Sequence, residues 1–197
     1  MKKILFLGLL FIALGNAQER SIINSRVALK ELGILSGTHL ALNLAHELGH
    51  VIVSKFLLYA GQIAPDPTTK IELQNNALFP LCGTYPRFAK SFNNILVELA
   101  GPAAGLLAAY CWLKGANIFS ELNKNVHPTE AVKNGFKKRL FNSQQSLALR
   151  AAIAFNIFGN LATLIPSKNP FFNDEHGESL PLHGYTLLQE LGLIQKS

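Results

Sequence analysis

The sequence predicts an all-helical membrane protein built on three spanning core helices, and three observations carry that prediction. Apolar residues make up 49% of the 197-residue chain and charged residues 15%, against about a quarter charged in soluble domains, and the mean hydropathy is +0.22. Three long apolar segments, at about 34–60, 94–113 and 147–166, each approach the roughly 20 residues that a bilayer-spanning helix needs. The N-terminus, "MKKILFLGLLFIALGNAQ", sets two lysines before a short apolar run that ends in small residues, the layout of a secretory signal.

Residues 1–17 are therefore expected to be a signal peptide or a short N-terminal anchor, and residues 18–197 a single membrane-embedded domain. Between the first two core segments lies "GQIAPDPTTKIELQNNALFPLCGTYPRF". Its prolines and glycines forbid a long helix, while "KIEL" and "ALFPLCGTY" allow short strands, so a hairpin-like loop is predicted. A polar, basic stretch with an amphipathic helix over 129–141 joins the second segment to the third. After Pro166, "SKNPFFNDEHGESLPLHGY" reads as a loop, and a last helix is expected over 185–193.

The net charge of +6 is not that of a nucleic-acid binder. Its cations include the stretch "KKRLFNSQQSLALR" and are not interleaved with aromatics on a patterned surface, and cationic loops beside anionic lipid account for them. Two cysteines are too few for a disulfide framework.

The chemistry concentrates in "LNLAHELGHVIVSKF". On a helix, positions i and i+4 share a face, so His46 and His50 can present two imidazole nitrogens to one ion, with Glu47 beside them. This is the pattern of a zinc protease helix, in which two histidines fix the metal and the glutamate acts as general base for the water. Ionisable groups at bilayer depth cost a few kcal/mol and are usually functional. In the second segment, Gly101-Pro102-Ala103-Ala104-Gly105 forms a small-residue face. By itself it says that two helices approach closely, which would let this helix lie against the one bearing the histidines.

In order and motif the chain resembles the site-2 protease family of intramembrane zinc metalloproteases over about residues 34–192. "AHELGHVIVSKF" matches that family's first core helix and "ELAGPAAGLLAAY" its second. The third matches in part. Where the family has an asparagine three residues before the proline, this chain has Thr163 before Pro166, with Asn160 one turn earlier. Where the family has an Asp-Gly whose aspartate is the third zinc ligand, the positional equivalents are His183-Gly184 and, as the alternative, Asp174. The resemblance thus implies zinc held by His46, His50 and His183 or Asp174, Glu47 as base, and Asn160 or Thr163 positioning substrate or oxyanion. His39 and His127 are not expected to be ligands, and Glu98 is expected near the interface.

The implied function is an intramembrane endopeptidase that cuts transmembrane segments of membrane-protein substrates, with the lipid bilayer as its surroundings, the bacterial inner membrane as its location and no nucleic-acid partner. The alternative is a non-catalytic membrane binding protein derived from such an enzyme. The family topology would put the basic stretch over 114–150 outside, against the positive-inside rule.

Overall fold

The structure is a computed structural model and describes residues 25–73, 81–143, 145–166, 168–173 and 179–194. It is mostly helical, with five helices among the described residues. These are α1 (Ser25–Tyr59), α2 (Ser91–Leu122), α3 (Pro128–Lys137), α4 (Leu147–Thr163) and α5 (His183–Glu190). The expected segment 1–17 lies outside the described residues.

Helix α1 is free of proline and runs nine residues further toward the N-terminus than the apolar pattern suggested. It stops where its side chains stop supporting it. Gly61 takes φ of +75°, and the amides of Gly61 and Gln62 return to the carbonyls of Leu58 and Leu57 at 3.0 Å, a Schellman closure that glycine makes inexpensive. Two prolines in the following residues prevent resumption. Helix α2 likewise outlasts its expected end at 113, because the residues beyond include good helix formers and no proline before Asn123. Capping starts the other two: the His127 ring accepts from Thr129 N–H before α3, and Ser146 accepts from Leu149 N–H at 3.1 Å before α4.

Two small antiparallel hairpins complete the described residues. Strands β1 (Lys70–Leu73) and β2 (Leu81–Thr84) pair with Ile71 opposite Gly83, within the hairpin that "KIEL" and "ALFPLCGTY" predict. Strands β3 (Lys168–Asn173) and β4 (Ser179–Pro181) also pair. The sequence reading had this second region as loop only, because Pro170, Asn169 and Asn173 mask the extended pattern, and α5 begins at His183 rather than 185.

Helices α1, α2 and α4 form the core. Leu42, Ala109, Leu113 and Ile153 make one buried apolar cluster, and Leu57, Phe88 and Val97 make another. Low α1 numbers thus meet high α2 numbers, so the two helices run antiparallel. Between the clusters the interior is polar, with His46, Glu47, His50, Asn156 and Asn160 all buried, whereas Leu40, Leu44, Leu48, Ile52 and Phe56 point outward along one stripe of α1. One described helix, α2, is long and apolar enough to cross a membrane by length and composition, and α4 is an apolar helix of 17 residues. Helix α1 is long enough at 35 residues, yet His39, His46, Glu47 and His50 lower its average hydropathy. The residues that make the site are the ones that dilute the spanning signal.

Candidate metal centre

The spacing of His46 and His50 on α1 brings their Nε2 atoms to 3.2 Å from each other, and His183 at the start of α5 brings its own to 3.3 Å from that of His46. Among the described residues, these three form a group whose ligating atoms lie within 4.8 Å of one another, close enough to hold one metal ion. Asp174, the alternative third ligand, lies outside the described residues.

The outer nitrogens decide what the inner ones are. Each Nδ1 faces an acceptor: the backbone carbonyl of Val97 at 2.7 Å from His50, Asn160 Oδ1 at 2.6 Å from His46, and Glu98 Oε2 at 2.5 Å from His183. The orientation of the Asn160 amide is itself fixed, since its Nδ2 donates to the carbonyl of Asn156 at 2.9 Å and to Asn156 Oδ1 at 2.8 Å. In neutral imidazoles the Nδ1 atoms therefore carry the protons, which leaves three Nε2 lone pairs pointed at one another. Such a cluster repels itself unless a cation or extra protons lie between the rings. Around a tetrahedral ion with Zn–N bonds of about 2.0–2.1 Å, neighbouring nitrogens lie about 3.3–3.4 Å apart, and the two observed separations fit. The acceptors on Nδ1 supply the outer shell that orients ligating histidines.

Helix α2 shapes the floor. A Cβ built on Gly101 would stand 2.0 Å from His50 Nε2, and one on Gly105 would stand 2.5 Å from Asn160 Oδ1. The pair does pack against α1 and α4, but each glycine makes room for a site side chain as well as for a backbone. Pro102 between them is fully buried. Gly49 on α1 completes the approach, with Ala100 O and Ala104 Cβ at 2.4 and 2.6 Å from its would-be Cβ.

The Asn160 amide bonds His46 through Oδ1 and Asn156 through Nδ2, and Thr163 donates its hydroxyl to the Asn160 carbonyl at 2.8 Å. One expectation needs correction. Glu98, expected near the interface, turns inward to His183. Its position gives a faint signal, since it shares the α2 face of Gly101 and Gly105. Tyr85, which sequence reasoning missed, donates its phenol proton to Glu47 Oε2 and lays its ring 4.6 Å from that of His50. The imidazoles, Glu47 and Tyr85 border a cavity of about 470 Å³ that extends past Asn43 and Asn156 to His39.

A scan of family models finds none that matches this chain, and searches of curated proteins and of solved structures find no match either.

Proposed function

We propose that this chain is an intramembrane zinc endopeptidase, as its resemblance to site-2 proteases implies. The observation that carries the reading is the convergence of three proton-free imidazole nitrogens beside a buried carboxylate. A metal ion answers the repulsion among the nitrogens, and a carboxylate next to the metal gives the assembly a base. His46, His50 and His183 would be the ligands. When bound, zinc acidifies a water molecule and polarises the carbonyl it attacks.

The chain's own residues do the rest. Glu47 takes a proton from the attacking water and returns it to the departing amide nitrogen. Val97, Asn160 and Glu98 hold the three rings with Nε2 inward. A regular helix buries its carbonyls in its own hydrogen bonds, so a substrate segment must unwind locally to be cut. The polar interior and the outward stripe from Leu40 to Phe56 support a bilayer setting for α1, α2 and α4, because in water so many large apolar side chains on the surface would drive association. The resemblance adds the bacterial inner membrane.

The test separates metal binding from chemistry. Glu47→Gln preserves shape and all three imidazoles, so the purified variant should hold about one zinc per chain while cleavage of single-span substrates falls at least about a hundredfold. Full activity in that variant rejects the mechanism. Zinc binding without cleavage by the wild type would favour the binding-protein alternative.

A further inference from the structure

Two groups from outside the helical core reach the general base, the Gly83 backbone and the Tyr85 phenol, and neither the HExxH pattern nor the family resemblance assigns the phenol a role. Its position is built. Asn43, one turn before Glu47, accepts from Leu81 N–H at 3.0 Å and holds β2 against α1. On the other side the Asn94 side chain clamps Phe88, accepting from its N–H at 2.7 Å and donating to its carbonyl at 3.0 Å. Arg87 ties the same loop to Glu190 of α5 at 2.9 Å. Gly83 supplies the remaining requirement, since a Cβ there would lie 1.6 Å from Tyr85 Oη and 2.6 Å from Glu47 Oε2. The phenol and the carboxylate meet only because residue 83 has no side chain.

From this geometry we propose that Tyr85 is a catalytic residue of the peptide hydrolysis, the donor to the oxyanion formed when water attacks the peptide carbonyl. The inference rests on the endopeptidase reading. In the resting site the phenol donates to the ionised Glu47. As the water oxygen bonds to the carbonyl carbon, its proton passes to Glu47 and the carbonyl π pair moves onto oxygen. Glu47 is then a neutral acid and a poorer acceptor, while the new oxyanion is a stronger one. The phenol O–H transfers its hydrogen bond to the oxyanion without losing its proton. When the tetrahedral centre collapses, the C–N bond breaks, the amine leaves with the proton that Glu47 held, and the restored carboxylate recovers the phenol. The donor is thereby switched on in the step that creates the charge it stabilises.

The experiment uses the detergent-purified zinc protein, a fluorogenic single-span peptide with a helix-breaking centre, and the same peptide carrying a phosphinate in place of the scissile amide. Tyr85→Phe removes one oxygen and should keep full zinc content and an unchanged KM. It should lower kcat about a hundredfold or more and weaken phosphinate binding by a similar factor, as loss of an oxyanion donor does. Gly83→Ala, which displaces the phenol without deleting it, should lose activity in the same direction. Wild-type kcat and wild-type phosphinate affinity in Tyr85→Phe would overturn the assignment, and so would zinc loss accounting for the whole defect. If the wild-type protein holds no zinc or cleaves nothing, the endopeptidase reading fails and this assignment falls with it.

Discussion

The two ends of α2 both bury polar side chains, but with opposite balances of donors and acceptors. At the far end Asn117 is 1% exposed, and its Oδ1 accepts from Asn142 at 2.6 Å and Gln145 at 2.9 Å while its Nδ2 donates to the Arg139 carbonyl at 3.1 Å. One turn on, Glu121 is paired with Lys124 and Lys138. The side chains there answer one another, donor to acceptor and cation to carboxylate. At the near end Val97, Glu98 and Gly101 face the histidines, and three Nε2 atoms converge that in neutral, Nδ1-protonated imidazoles are all acceptors. The difference teaches that burial of polarity is not what marks a site. A network closed on itself holds helices together, whereas one left short of positive charge asks for something from outside the chain.

The sharpest way to break this comparison is to fill the near end. Gly101→Ala puts a methyl where the His50 ring now lies, and the bulkier Gly101→Leu would displace that ring further. Both should lose most of the bound zinc and with it the activity, as metal analysis of the purified proteins would measure. Gly115→Ala, nearly three helical turns beyond Gly105 and with nothing within 4 Å of its would-be Cβ, should behave as wild type. Normal zinc content in Gly101→Leu would mean that the helices do not approach as described.

A smaller change probes the outer shell. Glu98→Gln exchanges the charged acceptor of His183 for a neutral one and should weaken zinc binding about 10–100-fold, the usual cost of losing such a partner, as read by chelator competition. No change would show that His183 is oriented by packing alone. The far end should respond differently. Asn117→Leu removes one acceptor from each of Gln145 and Asn142 and the donor to the Arg139 carbonyl, and should cost about 1–3 kcal/mol, read as a lower thermal midpoint, with zinc affinity unaltered. A loss of zinc there would mean that the two ends are coupled.

What could be read from the sequence follows from how far apart in the chain the cooperating residues stand. His46, Glu47 and His50 were legible because a helix turns spacing in sequence directly into proximity in space. The hairpin β1–β2 was legible from alternation and from the prolines and glycines around it. His183 was reachable by its position ahead of the last helix and through the resemblance, and the structure places it with the other two. Tyr85 was not legible, and Glu98 only faintly so from the α2 face it shares with Gly101 and Gly105, because their partners stand 38 and 85 residues away. Asn160 was noticed, but its sequence position does not reveal that its amide bonds both His46 and Asn156. The hairpin β3–β4 escaped because its residues are individually those of loops.

The chain distance between His46 and His183, 137 residues, also sets a timetable. As the chain is synthesised from its N-terminus, the α1 histidines and Glu47 emerge early, but the third imidazole arrives only after all three core helices have been made. Until then Glu47 has no complete ligand set beside it. On the proposed reading, hydrolysis thereby waits until the chain's own core helices have been made.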